Sequence, residues 1–244
     1  MNLAFAHARS ETTQLLRIPA YWVSTIAFPI VMLLLFGRRS SDDGPERLLA
    51  GFAAMAVLGV AFFQFGLGVA ADRMFQWETY LRTLPAGAGT RLFARLLSAL
   101  CFTAFTVAAV GLVASLAFDA SIPVWRWVLL VTGLLLGGIP FALLGVTLGY
   151  WLPPRAALPV ANLVFLPLAI GGSLWARPSA DIPREADVAS QLLPTRSWIE
   201  ILDPIATGDG SIPPHHVAAL AAWTALFGAL AWWGFRRDEG ERFR

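Results

Sequence analysis

The sequence predicts an all-α membrane protein with six transmembrane helices, and three observations support this fold class. Of the 244 residues, 57% are hydrophobic and 14% are charged, a more apolar balance than that of soluble domains. Six stretches of 19 to 25 residues contain no Asp, Glu, Lys, Arg or His. About 20 helical residues cross a hydrocarbon layer roughly 30 Å thick. The predicted spans are residues 18–36, 48–71, 96–118, 127–151, 156–174 and 217–235.

The pattern of polarity within these stretches argues against two other folds. A soluble core helix would carry charged or polar side chains on its outer face at every turn. Strands of a membrane barrel alternate in polarity and are about half as long as these stretches. The stretches are therefore expected to form one helical bundle, and residues 1–244 are expected to form a single transmembrane domain.

The distribution of arginine predicts that both ends of the chain lie in the cytoplasm. All 18 basic residues are arginine, and the connections are short enough for the positive-inside rule to apply. With a cytoplasmic N-terminus, eleven arginines fall in inner segments and seven in outer loops. Arg38 and Arg39, close to the first span, oppose the rule. Aromatic residues near span ends, such as Trp22, Trp127 and Trp151, favour the same boundaries.

Residues 1–17 are expected to form an amphipathic helix on the inner membrane surface, with a frayed tail as the alternative. Apolar residues in this stretch are interrupted by polar ones, as in helices that lie in the interface plane. The apolar residues are Leu3, Phe5, Leu15 and Leu16. No cleavable signal peptide is expected, because the first apolar run is long enough to remain as a span. Pro19 and Pro29 predict a kink in that span.

The segment between spans two and three is the most informative polar region. Its apolar residues recur at spacings of three, four and three, which places them on one helical face. These residues are Met74, Trp77, Leu81 and Leu84. Glu78 and Arg82 form an i,i+4 pair in the favourable order, and Pro85 ends the helix. The segment is predicted to be a cytoplasmic helical hairpin that either docks a partner or packs against its own bundle.

Span four contains two pairs of glycines at four-residue spacing. The pairs are Gly133 with Gly137 and Gly145 with Gly149. Small residues at this spacing let two helix backbones approach closely. Packing within the bundle is the favoured interpretation, and a contact with a second chain is the alternative.

Few polar side chains lie within the spans, and two interpretations of them are open. Gln64 and Asn162 are the strongest hydrogen-bonding groups there, and Ser24 is a weaker one. Each side chain would either join neighbouring helices or line a polar route across the membrane. Pro159 and Pro167 around Asn162 also predict a bent fifth span with backbone carbonyls that need partners.

The largest outer segment, residues 175–216, is divided by six prolines into short pieces. Two brief helices are expected there, Arg184–Leu193 and Ser197–Leu202. Ser197 and Glu200 have the spacing of a capping box for the second helix. Apolar residues on these pieces indicate that they rest on or dip into the outer face of the membrane.

Several kinds of chemistry are missing from the sequence. Without lysine the chain has no Walker A motif, so it does not itself hydrolyse ATP by that mechanism. The predicted spans contain no ionisable side chain, which disfavours a proton- or sodium-driven carrier. The three histidines lie outside or at the edge of the spans, so neither an intramembrane hydrolase nor a metal site is expected. The chain is not expected to be an enzyme by itself.

Three stretches of the sequence resemble a known family in their order and spacing. They are Arg17–Trp22 leading into the first span, Trp77–Pro85 followed by Arg91–Arg95, and Leu158–Gly172 in the fifth span. In this order the stretches resemble an ABC-2 type transporter permease, and the resemblance extends over essentially the whole chain. Each motif is degenerate, and none of them specifies a cargo.

The resemblance implies the permease subunit of an ATP-driven exporter in a bacterial-type cytoplasmic membrane. The subunit would pair in the lipid bilayer with a second permease copy or homologue, and with two ATP-binding subunits. Those partners would bind ATP and Mg²⁺, while this chain would bind no cofactor, metal or nucleic acid. The implied coupling residues are Trp77, Glu78, Leu81, Arg82, Leu84 and Pro85. The pathway candidates are Gln64, Asn162 and Ser24, near a dimer interface formed by spans one, two and five.

The cargo and two rival functions remain open at this stage. The apolar spans suit an amphiphilic cargo such as a drug, peptide, lipid or glycolipid, and a haem- or copper-related assembly permease is a narrower alternative. One rival is a membrane scaffold or immunity-type protein, whose hairpin would only stabilise the bundle. The other rival is a secondary carrier that works without an ATPase partner.

Overall fold

In the computed structural model, every regular element of the described residues is a helix. The structure describes residues 9–10, 12–13, 16–38, 44–73, 88–175 and 184–242. The helices are α1 (Pro19–Phe36), α2 (Pro45–Val60), a π-helical segment (Ala61–Leu67), α3 (Gly68–Asp72), α4 (Ala88–Phe118), α5 (Val124–Trp151), α6 (Pro154–Gly171), α7 (Arg184–Gln191), α8 (Pro194–Thr207) and α9 (Pro214–Arg242). The predicted all-α class is confirmed, and α2, the π segment and α3 follow one another without a break.

Five helical stretches of the described chain are long and apolar enough to cross a membrane. They are Pro45–Ala71, Leu96–Phe118, Val124–Trp151, Pro154–Gly171 and Pro214–Asp238, which correspond to predicted spans two to six. Helix α1 coincides with the first predicted span, but the apolar run described within it, Thr25–Phe36, is shorter. The bundle fits a multi-pass membrane protein, and the sixth crossing stays a prediction.

Proline marks the start of five helices. Pro19, Pro45, Pro154, Pro194 and Pro214 are each the first residue of their helix. An N–H group at that position has no acceptor within the helix, so proline, which lacks an N–H, gives up no hydrogen bond there. Its fixed φ also matches that of a helix. The charge-free stretches therefore located the apolar parts of α2, α6 and α9 but began two or three residues after their proline starts.

The rod formed by α2, the π segment and α3 is the centre of the bundle. Within the most apolar part of Pro45–Ala71, 89% of residues are buried inside the chain, against 17% for Pro214–Asp238. Large side chains along the rod, including Phe52, Met55 and Phe62, are almost completely buried. The other spans therefore surround span two and leave much of their apolar surface for lipid or another chain.

The second outer helix differs from its prediction in length and in position. Helix α8 begins at Pro194 rather than at Ser197, so Ser197 lies inside the helix and its predicted capping box with Glu200 is wrong. The reason is that Leu193 precedes a proline start, which leaves no orphan N–H at the first position to be capped. The helix continues to Thr207 and ends at Gly208, whose φ of +81° is left-handed.

Helix α8 is also buried, because its apolar side packs inside the helical bundle rather than on its surface. Trp198, Ile199 and Leu202 are fully buried where α8 packs against α2, α5 and α9. The amphipathic pattern of α8 showed that it has an apolar side. The pattern did not show that α2, α5 and α9 leave a space between them in which this apolar side packs.

The two glycine pairs of α5 both serve contacts within the bundle. The carbonyl of Gly133 accepts a 3.1 Å hydrogen bond from the Trp198 indole of α8, and a Cβ at Gly137 would overlap the same indole. A Cβ at Gly145 would lie 2.8 Å from the carbonyl oxygen of Ala61 in the π segment. The structure therefore supports the interpretation of internal packing for both pairs.

The predicted N-terminal interfacial helix lies largely outside the described residues. Residues 9–10 and 12–13 are helical, and the Thr13 hydroxyl donates a 2.7 Å hydrogen bond to the carbonyl of Arg9. Leu16 is exposed just before α1. The position of this helix at the membrane surface stays a prediction.

The close approach of α5 to the π segment can be tested by adding one methyl group. Gly145→Ala is expected to destabilise the protein by about 1–3 kcal/mol, because backbone atoms in the contact cannot move aside. Gly228→Ala is the matched control, since its Cβ would lie 3.7 Å from Leu143, an ordinary contact. Thermal unfolding in mild detergent measures both variants. Equal stability of the two would contradict the close approach.

Candidate functional site

The predicted coupling residues lie outside the described part of the chain. The structure describes the backbone up to Arg73 and again from Ala88. Trp77, Glu78, Leu81, Arg82, Leu84 and Pro85 fall between these two points. The structure does show which helices surround the point where this segment leaves the bundle.

Arg73 joins three helices at that point. Its Nε donates to Oδ1 of Asp238 on α9 in an ion pair of 3.0 Å. Its Nη1 donates to the carbonyls of Gly149 (2.9 Å) and Leu152 (3.1 Å) at the end of α5. The last carbonyls of a helix have no intrahelical donor, and a cation there also complements the helix dipole. We refer to Arg73, Gly149, Leu152 and Asp238 as the Arg73 cluster.

Beside the Arg73 cluster, the ends of α5 and α9 are held together by aromatic contacts. The indole of Trp151 donates to the carbonyl of Leu230 at 3.3 Å and meets Trp233 edge-on, with centroids 4.9 Å apart. Tyr150 packs edge-on against Phe235 at 5.7 Å. A small cleft at this end is lined by Arg73, Tyr150, Trp151, Gly234, Arg237 and Asp238.

Gln64 is buried in the π segment and forms a hydrogen bond between helices. Its amide nitrogen donates to the hydroxyl of Ser98 on α4 at 3.1 Å, and Ser98 is fully buried. The bond therefore links span two to the helix that follows the predicted coupling segment. It fits the interpretation of an inter-helix link, and a role for Gln64 in a route across the membrane stays a prediction.

The other two pathway candidates lie on α1 and α6. Asn162 is exposed on α6, on a surface that also exposes Leu158, Leu163 and Leu166. Ser24 lies in α1, and its side chain is outside the described part of the structure. Asn162 is exposed whereas Gln64 is buried, so the structure does not join these two amides in one polar cluster.

Aromatic rings nevertheless bring α1, the π segment and α6 together at Phe165. The ring centroid of Phe165 lies 6.2 Å from Phe28 of α1, and 6.3 Å and 5.7 Å from Phe62 and Phe63 of the π segment. Beyond this contact, α1 and α6 expose apolar side chains such as Leu163. We refer to the exposed apolar surfaces of α1 and α6 as the α1/α6 face. Lipid or another chain must cover this face.

A buried ion pair at the opposite end of the bundle was missed by sequence reasoning. Nη1 of Arg47, at the start of α2, contacts Oδ2 of Asp203 on α8 at 2.6 Å. The two residues are only 3% and 7% exposed. The sequence places Arg47 directly before a long apolar stretch and Asp203 in a partly apolar helix, which hints at burial. The two residues are 156 positions apart, so the sequence gives no sign that they form a pair.

Arg126 holds the C-terminal end of α8. Its Nη1 donates to the carbonyl of Thr207 at 3.0 Å, and its guanidinium stacks 5.0 Å from the Trp125 ring centroid. A Cβ at Gly208 would overlap this guanidinium. Glycine suits this position for two reasons: it has no Cβ, and it readily adopts the left-handed φ. Arg126 thereby ties the beginning of α5 to the end of α8.

The N-terminal end of α8 is tied to α6. Thr195 is fully buried and donates to the carbonyl of Leu168 at 2.7 Å. Arg196 pairs with Glu200 at 2.9 Å and donates to the hydroxyl of Ser173 at 2.9 Å. Helix α8 is therefore fixed at its start, middle and end to three different membrane helices.

The described residues include no group of three or more His, Cys, Asp or Glu placed to bind a metal ion. His215 and His216 lie at the start of α9 with ring centroids 4.1 Å apart, and Nδ1 of His216 lies 3.4 Å from the Ser197 hydroxyl. These histidines thus provide a contact between α8 and α9. Cys101 is exposed on α4.

Comparisons with known proteins match nearly the whole chain. The sequence model of the family described as ABC-2 type transporter matches residues 3–204. The chain is also similar to "Putative transport permease YvfS" of Bacillus subtilis (strain 168). The two are 21% identical over 245 residues, which cover 98% of this chain and 99% of the relative.

The buried Arg47–Asp203 pair can be tested by removing one charge. Asp203→Asn is expected to cost about 3–5 kcal/mol, because Arg47 would remain as an uncompensated buried cation. Replacing both residues, Arg47→Met with Asp203→Leu, is expected to regain most of this loss. Unfolding in detergent gives the stabilities.

The matched control for this prediction is Glu200→Gln on the same helix. Its pair with Arg196 is partly exposed, so the expected cost is below about 1 kcal/mol. A cost for Asp203→Asn no larger than that for Glu200→Gln would contradict a desolvated pair.

Proposed function

The chain belongs to the ABC-2 type transporter family, and we propose that it is the permease subunit of an ATP-driven exporter. The family match over residues 3–204 carries the proposal. The helical bundle supports it, because five of its helices are long and apolar enough to line or surround a route through the membrane. The proposed setting is the cytoplasmic membrane of a bacterial-type cell, with both ends of the chain in the cytoplasm.

The energy for transport is proposed to come from separate ATP-binding subunits. The chain contains no lysine and therefore no Walker A motif that could hold the phosphates of ATP. ATP and Mg²⁺ would be bound by the partner chains, and this chain would contribute the pathway. Hydrolysis and transport are then carried out by different polypeptides, so a mechanical connection between them is required.

We propose that the hairpin containing Glu78 and Arg82 forms that connection. Its apolar face, with Trp77, Leu81 and Leu84, suits docking into a groove of a soluble partner. The support from the structure is the position of the neighbouring residue Arg73, which is bonded to two other membrane helices. A force on the hairpin would therefore reach the bundle directly.

The route itself is proposed to lie where a second permease copy or homologue covers the α1/α6 face. That face is apolar and exposed in the single chain, and Asn162 is a polar group within it. Gln64 lies one residue from Phe63, which contacts the same Phe165 as α1 does. A mainly apolar surface with isolated amides suits an amphiphilic cargo, such as a drug, peptide, lipid or glycolipid.

Co-expression with an ATP-binding protein tests the proposed function. The tagged chain is expected to co-purify in mild detergent with the product of a neighbouring reading frame that carries a Walker A motif. ATP hydrolysis by the complex should be lost when the Walker A lysine of the partner is replaced by alanine. A chain that purifies without any ATP-binding protein would instead support a scaffold, and transport driven by a proton gradient alone would support a secondary carrier.

The coupling role of the hairpin is tested by Glu78→Ala with Arg82→Ala. This variant is expected to lower ATP hydrolysis by the reconstituted complex at least about fivefold, the lower end of typical coupling between sites. Membrane insertion should be unchanged, because both residues lie outside the predicted spans. The matched control is Arg38→Ala with Glu185→Ala, which also removes one charge of each sign, here at two exposed positions. Equal activity of the two double variants would contradict the coupling role.

A further inference from the structure

We propose that Arg73 is a positioning residue that passes motion of the hairpin specifically to the paired ends of α5 and α9. This inference rests on the proposed function, because it requires a partner that moves the hairpin. It goes further by naming the residue and the two helices that receive the motion. Four observations support it.

The first observation is the place of Arg73 in the chain. Arg73 directly follows α3 and is the last described residue before the hairpin. Its backbone N–H still donates to the carbonyl of Val69 at 3.3 Å, so its backbone is part of the final helical turn. A displacement of the hairpin therefore acts on Arg73 through a short covalent connection.

The second observation is the number and kind of bonds that Arg73 makes. One guanidinium donates to a carboxylate of α9 and to two terminal carbonyls of α5. The carboxylate belongs to Asp238, which is only 8% exposed. Charge-assisted hydrogen bonds are stronger than neutral ones, and burial of the carboxylate limits screening, although the Arg73 side chain is 22% exposed. These bonds fix the end of span two relative to both helices at once.

The third observation is that α5 and α9 already form one unit at this end. Trp151 bonds to α9 through the carbonyl of Leu230 and through the ring of Trp233. A Cβ at Gly234 would lie 2.6 Å from the Trp151 indole nitrogen, so the indole packs directly against the backbone of α9. Movement of Arg73 is therefore expected to displace the ends of α5 and α9 together.

The fourth observation is the different character of the contact between span two and α6. The π segment meets α6 through the rings of Phe62 and Phe63 against Phe165. These rings carry no net charge, so we expect them to hold α6 to span two less firmly than the charge-assisted bonds of Arg73 hold α5 and α9. Motion at Arg73 would thus shift α5 and α9 relative to the α1/α6 face rather than move the whole bundle as one body.

Hydrogen exchange of the complete complex tests this inference without knowledge of the cargo. The wild-type permease, bound to its ATP-binding subunits in nanodiscs, is compared with and without ATP and Mg²⁺, using partner subunits that bind but do not hydrolyse ATP. We expect ATP to change amide exchange rates in residues 145–152 and 230–238 at least about fivefold. Changes confined to α6 would overturn the proposal, and this measurement does not depend on any variant folding.

The variant Asp238→Asn provides the second arm. It removes the charge from the ion pair while it keeps an oxygen acceptor of similar shape. We expect ATP to alter exchange in the hairpin, residues 74–87, as in the wild type, while the ATP-dependent change in 145–152 and 230–238 falls at least about fivefold. Arg73→Lys keeps the cation but loses the forked donor, so its effect should be intermediate.

Glu200→Gln is the control, because it weakens an ion pair of similar length at the other end of the bundle. It should behave as the wild type does. An Asp238→Asn complex with an undiminished change in 145–152 and 230–238 would overturn the role of Arg73 alone. A wild-type chain that binds no ATP-binding subunit, or whose hairpin does not respond to ATP, would instead overturn the proposed function.

Discussion

The close contact between the π segment and α5 is the constraint on which the rest of the bundle depends. A Cβ at Gly145 would meet the carbonyl of Ala61, and one at Gly149 would lie 2.7 Å from the carbonyl of Gly66. Only backbones without side chains at these points can approach so closely. This contact holds span two against α5, and α8, α9 and Arg73 each make further contacts with α5.

Charge is confined to the two ends of this central rod. Arg47 pairs with Asp203 at one end, and Arg73 pairs with Asp238 at the other. An unpaired charge in a low-dielectric interior is costly, so each arginine is held by a carboxylate from a distant part of the chain. The rod is therefore held at each end by an ion pair and along its length by the packing of its side chains against neighbouring helices.

Sequence reasoning located the helices well because their signal is local. A charge-free stretch of about 20 residues is enough to identify an apolar helix, whatever the rest of the chain does. The helix starts carry a local signal too, since a proline at the first helical position, as at Pro45, Pro154 and Pro214, is visible in the sequence.

The tertiary features were not recoverable in the same way. The pairing of Arg47 with Asp203, the burial of α8 and the bonds of Arg73 depend on residues far apart in the sequence. The capping box at Ser197 failed for a related reason: a correct local pattern was overruled by the proline three positions earlier. Residues Trp77–Pro85 remain sequence-based predictions, because they lie outside the described part of the chain.

The burial of α8 has a consequence for how a single copy of this chain can work. Trp198, Ile199 and Leu202 fill the space between α2, α5 and α9, and both ends of α8 are bonded to neighbouring helices. The described part of one copy is thus filled by packed side chains at this end rather than open. Under the proposed function, a cargo would therefore be expected to pass along the outside of the chain, at the α1/α6 face, rather than through this closed interior.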